Sequence, residues 1–187
     1  MYGLQRYLSI EQEFINARYY ISFENKSAYS EFFTREVIIL SAEIESAFKV
    51  LCNRIDGSTP GNIAQYKSTI LNEFPGLVRL GVCNRKTNEI TYPFSKWDIG
   101  ALQWWDVYTS IKHNAICKEA TVDVSLSMLQ AFELLLFCIE ATIGDFSIEY
   151  MEMPRLYIPD FPRGIALTTD MQARIRFSRN HIIDYLL

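Results

Sequence analysis

Thr121-Val122-Asp123-Val124-Ser125-Leu126-Ser127-Met128-Leu129-Gln130-Ala131-Phe132-Glu133-Leu134-Leu135-Leu136-Phe137-Cys138-Ile139-Glu140-Ala141-Thr142-Ile143 is the stretch on which the fold turns. Leu126, Leu129, Phe132, Leu136, Ile139 and Ile143 recur at steps of three and four, the helical period. Ala131, Leu135 and Cys138 form a second apolar face, and a helix apolar on two faces belongs at the centre of a bundle or at an interface. Thr121 is positioned to cap it, and Asp123 in the first turn complements its dipole. The greasiest run, Met128–Ile143, is interrupted by Gln130, Glu133 and Glu140. It is shorter than the roughly 20 apolar residues that span a bilayer. A core helix is expected there, with no membrane partner.

Three more segments carry the same period. They are Tyr7, Ile10, Phe14, Ala17 and Ile21; then Phe33, Val37, Leu40, Ile44, Phe48, Leu51 and Ile55; then Ala101, Trp104, Tyr108, Ile111 and Ala115. The second is opened by Ser27 or Ser30 and closed by Asp56-Gly57-Ser58. A short helix is expected after it, with Thr59 as cap and Pro60 at its first position, where a missing N–H costs nothing. Leu77–Val82 and Glu89–Tyr92 flank the polar run Cys83–Asn88 and predict a small hairpin or two extended arms. Beyond Gly144 the helical period stops. Pro154, Pro159 and Pro162 exclude a helix, and Ala173–Phe177 alternates as a strand does.

The expected fold is mainly α. It is a four- or five-helix bundle over 1–144 with a small β hairpin insertion, followed by an extended, partly β C-terminal appendage over 145–187 packed on the same domain.

A hydrophobic content of 49% supplies a core and excludes disorder as the overall class. The formal net charge of −4 gives no global field attracting nucleic acid or anionic lipid, so any such contact must be local. The N-terminus enters an amphipathic pattern without a signal core, so a cytoplasmic protein is expected. Cys52, Cys83, Cys117 and Cys138 contain no C-x-x-C pair, and only His113 and His181 accompany them. Reduced core thiols are expected, with no metal site and no cofactor.

Chemistry concentrates in Trp104-Trp105-Asp106-Val107-Tyr108-Thr109-Ser110-Ile111-Lys112-His113-Asn114. Helical spacing puts Trp104, Tyr108 and Ile111 on a buried stripe and Lys112 over Trp105 and Tyr108, within cation–π reach. His113 falls with Asp106, Thr109 and Ser110 on a polar strip. A histidine beside a lysine and hydroxyls can serve as acid or base on a phosphate ester; the other reading is a structural histidine held by a neighbour. On the second segment Glu45 and Lys49 form an i,i+4 pair. Glu43 or Glu45 either crosses to hold Lys112 or His113, or belongs to a solvated face. Arg174, Arg176, Arg179 and His181 make the basic concentration of the tail, read as a nucleic-acid or partner contact or as a charged strand edge.

An ordered set of residues resembles an uncharacterised bacterial branch of the HEPN superfamily, small all-α domains often found in defence and toxin–antitoxin systems. The set is Glu24-Asn25 before Tyr29-Ser30, Glu43-x-Glu45-x-x-x-Lys49 with Leu51-Cys52, Tyr66, Pro93-Phe94 with Trp97, and the string W-W-x-x-Y-x-x-I-K-H ending at His113. The resemblance implies a helical bundle that forms a homodimer. Active members cleave RNA without metal, using an Arg, four to six residues, then a His. His113 and Lys112 match the histidine end of that motif. The three positions open to the arginine hold Tyr108, Val107 and Asp106, none cationic.

The resemblance therefore implies a catalytically degenerate protein that binds RNA, a nucleotide or an antitoxin-like protein partner. Lys112 and His113 would do so together with Trp105, Tyr108, Thr109, Asn114, Glu43, Glu45 and Lys49. A metal-independent endoribonuclease using His113 with Lys112, and a dimeric interaction module without ligand, are the alternatives.

Overall fold

Helix α5 (Val122–Ala141) starts where the Thr121 hydroxyl accepts from the Val124 N–H. Two more first-turn N–H groups find carbonyls in the connector before the second helix: Val122 donates to Ala28 at 2.8 Å and Asp123 to Lys26 at 3.1 Å. Orphan donors at a helix start must be met in this way if the end is covered. The computed structural model in which this is seen describes residues 2–114, 120–142, 146–149, 154–160 and 174–177.

Over its middle turns the helix is enclosed on all sides: every residue from Met128 to Ile139 is buried. Its longest partner is α2 (Glu31–Asp56, 26 residues), and α1 (Tyr2–Ala17) and α4 (Gln103–Asn114) also pack on it. The central position expected from its two apolar faces is the one observed. The apolar stretch Val122–Glu140 is long and apolar enough to cross a membrane, but 83% of it is buried inside the protein, so its surface is taken up by the other helices.

The periodic residues of α1 and α2 point inward as spaced: Tyr7, Phe14, Phe33, Val37, Leu40, Ile44, Phe48 and Leu51 are fully buried. Ser30 caps α2 by accepting from the Phe33 N–H, and Gly57 ends it at φ 75°, a left-handed conformation that a Cβ would strain. The next helix, α3 (Ile63–Glu73), begins later than expected. Its cap is Asn62, which accepts from the Gln65 N–H, leaving Thr59 and Pro60 in the loop. Asparagine is the stronger cap, and it also spares the helix from including Gly61.

Phe48 gathers the aromatic end of the bundle. Tyr66 of α3 stacks on it at 5.2 Å, Trp97 at 5.5 Å, and Trp105 tilts against it at 6.1 Å. The Trp104 indole N–H donates 2.8 Å to the Pro93 carbonyl in a buried bond that ties the 93–100 loop to α4. Trp104→Phe keeps an aromatic ring but strands that carbonyl. A loss of about 1–2 kcal/mol is expected in urea unfolding, with an unchanged m-value.

Leu77-Val78-Arg79 is not part of the hairpin arm. Pro75–Arg79 forms a 3-10 turn, started by a proline that fixes φ. The hairpin is β1 (Gly81–Asn84) against β2 (Ile90–Thr91), with Val82 opposite Thr91. Asn84 Oδ1 accepts from the Lys86 and Thr87 N–H groups, and Asn88 closes the turn at φ 58°. A Cβ at Gly81 would lie 2.6 Å from the Ile90 side chain, so the strands approach only across a glycine. On the other side of β1 runs β4 (Tyr157–Asp160), antiparallel, with Cys83 opposite Ile158. Pro159 is accommodated because β4 is an edge strand. Separately, β3 (Phe146–Glu149) pairs with β5 (Arg174–Phe177), which carries the alternation read from the sequence.

Candidate functional site

Burial of Trp104 and Ile111 sets the roll of α4 about its axis and decides what the rest of the helix shows. Trp105 and Tyr108 come out half-buried, edge to face at 5.2 Å. The Lys112 ammonium lies 5.8 Å from the Tyr108 ring centroid, as spacing predicted, and has no carboxylate partner among the described residues. The Thr109 hydroxyl donates 3.0 Å to the Trp105 carbonyl, so its proton is already committed within the helix. One turn further on, His113 is exposed, as are Lys112 and Asp106. Asn114 is the last helical residue, and its side chain lies outside the described residues, as do Cys117, Arg179 and His181.

The three residues of α2 do not join this group. Glu43 accepts from Arg6 of α1 at 2.8 Å and Glu45 from Lys49 at 2.7 Å, so neither carboxylate crosses to Lys112 or His113. Each has a nearer cation. The site that assembles is therefore Trp105, Tyr108, Thr109, Lys112 and His113, all on the last three turns of one helix. Lys112 and His113 also sit where cations complement the negative end of the helix dipole.

The described thiols are poor nucleophiles. Burial pushes Cys138 up to about 12, and burial with the nearby Asp56 charge pushes Cys52 to about 11. Half-buried Cys83 is raised as well. A thiol reagent has little thiolate to attack at these positions. Among the described residues no group of His, Cys, Asp and Glu side chains is arranged to hold a metal ion.

A second polar cluster lies inside the bundle. Glu11 of α1 is buried, and its carboxylate accepts from the Arg155 N–H at 2.8 and 2.9 Å and from the Leu156 N–H at 2.7 Å. Glu133 of α5 is fully enclosed, and neither of its oxygens has a hydrogen-bond partner among the described residues. The Tyr7 hydroxyl lies against it without reaching hydrogen-bonding geometry, and is itself unpartnered there. Burial first, and the Glu11 charge second, hold the Glu133 carboxyl well above the usual carboxylate range. Burial raises Glu11 too, against the pull of its two backbone donors. Sequence reading passed over this pair. The available signal was a glutamate on each buried stripe, Glu11 one turn after Tyr7 and Glu133 beside Phe132.

Comparison with family models, curated proteins and solved structures finds no match to the chain.

Proposed function

We propose that the chain is a cytoplasmic, catalytically degenerate HEPN-like protein that binds RNA with the last three turns of α4. The observation carrying this reading is the exposure of His113 beside a Lys112 ammonium that sits over Tyr108 and has no carboxylate partner among the described residues. A phosphate approaching the helix end meets a point charge and an imidazole, and the half-buried Trp105 and Tyr108 rings supply aromatic surface for a base. Binding is favoured over cleavage because the motif positions upstream of His113 hold Tyr108, Val107 and Asp106. Asp106 is exposed, and a carboxylate there repels a phosphate instead of holding it. The same resemblance supports a homodimer, pairing two such helix ends into one cleft, and an antitoxin-like protein as partner.

Fluorescence anisotropy with a labelled structured RNA, in EDTA and low salt, tests this directly. Binding should weaken as salt rises, and Lys112→Ala should reduce the salt slope by about one phosphate contact while weakening all sequences alike. His113→Ala should weaken binding severalfold and leave the melting temperature in place. RNA recovered intact is expected. Cleavage that disappears in His113→Ala would replace this reading with the endoribonuclease, and no binding at low salt would leave α4 as packing alone.

A further inference from the structure

Beyond the α4 site, a cavity of about 390 Å³ opens between the α1–α2 connector and the β1–β2 turn. Nothing at the end of α4 lines it. Three cations contribute to its wall: Arg18 and Lys26 from the connector and Lys86 from the turn. Among the described residues none of the three is in an ion pair, although Glu24 and Glu89 line the same space. The Arg18 guanidinium rests over the Phe23 ring at 5.6 Å, which orients it without neutralising it. On the rim, Tyr19 and Tyr20 are 83% and 90% exposed, unusual for large rings with no packing role. Leu126 and the buried Tyr157 also border the cavity.

Both walls are set in advance. The Asn84 carboxamide accepts from the Lys86 and Thr87 N–H groups, which fixes the backbone carrying Lys86. The connector is held by Tyr20 N–H to Ala17 O at 2.9 Å and Asn25 N–H to Ser22 O at 3.3 Å, and its carbonyls are engaged by the start of α5. A preformed concave site of this size suits a small molecule, and polar groups converging from two elements suit one of defined charge.

We propose that this cavity binds a small ring-bearing phosphomonoester. Cations on both walls supply the phosphate contacts, with Arg18 able to give two parallel N–H donors. Tyr19 or Tyr20 offers a face on which a planar base or a sugar ring stacks. Glu24 and Glu89 accept from ring hydroxyl or amine donors, and they disfavour polyanions such as a nucleic-acid strand. Three cations against two carboxylates leave the wall net positive, which favours an anionic ligand of low charge over a polyanion.

Isothermal titration of the full chain with adenosine monophosphate, glucose phosphate, adenosine and inorganic phosphate tests the assignment and separates the two kinds of ring. One of the two phosphomonoesters should bind with Kd below about 1 mM, at least about tenfold tighter than either adenosine or phosphate alone. Lys86→Glu and Tyr20→Ala, both at exposed positions, should each weaken it about tenfold or more and leave the unliganded melting temperature unchanged. Tyr29→Ala, another exposed tyrosine but outside the cavity, and His113→Ala should bind as the parent does. Failure of both phosphomonoesters to bind overturns the proposal. So does equal binding of inorganic phosphate, or indifference to Lys86→Glu and Tyr20→Ala. Loss on His113→Ala would place the ligand on α4 and also overturn it.

Discussion

Glu133→Gln is expected to raise the melting temperature by several degrees at about pH 8 and by little at about pH 5. In the folded protein the Glu133 carboxyl keeps its proton to higher pH than in the unfolded chain, because burial and the neighbouring Glu11 oppose its ionisation. Below the ordinary carboxyl range both states are protonated, and no penalty arises. As pH climbs from that range toward the folded value, the unfolded chain ionises first. Stability then falls by up to about 1.4 kcal/mol per pH unit. Glutamine does not titrate, so the variant escapes this slope and its advantage grows with pH. Thermal melts of both proteins across that pH range measure the effect. A difference that stays flat with pH would show that Glu133 ionises freely in the folded state.

The opposite sign is expected for its neighbour. Glu11→Ala removes the acceptor of the Arg155 and Leu156 N–H groups, which approach from 144 and 145 positions away in sequence. Leu156 is buried, so its donor would be left with neither protein nor water. The loss is expected at about 2–4 kcal/mol, from charge-assisted bonds removed and a donor stranded. The damage should be local first. Hydrogen exchange over 156–160 should accelerate by orders of magnitude, while amides in the middle of α5 follow only the global change. Unaltered protection of the 156–160 amides would mean that strand pairing alone holds β4. Glu11→Gln, which retains one carbonyl acceptor, should fall between the two.

These carboxyls mark where sequence reading stopped. The long helices were legible because their signal is one-dimensional: a buried stripe every three or four residues, with Ser30, Gly57 and Thr121 as punctuation. Their arrangement was partly legible, since only the last long segment is apolar on two faces. Two local readings failed where a stronger competitor stood nearby. Asn62 displaced Thr59 as cap, and Pro75 wound Leu77–Arg79 into a turn. On α4, Trp105, Tyr108 and Lys112 lie together because i, i+3 and i+7 fix neighbours within a helix. Glu43 found Arg6 instead, since no spacing rule tells a side chain which cation another helix will bring. Glu11 and Glu133 were hidden for the same reason. Each is one charged letter in an apolar stripe, and what it faces is decided by a chain segment far away.

The position of β1 bears on how the molecule is assembled. Its hairpin with β2 closes over a few residues, but its other edge waits for Ile158 and Pro159, after two further helices have been made. Until the ribosome delivers them, β1 presents an unpaired backbone edge and Glu11 has no amides to hold, and this pairing is the one most distant in sequence from its partner. A nascent chain halted short of Tyr157 should therefore be the form that captures stray strands and self-associates, and the last β-pairing should set the pace of refolding.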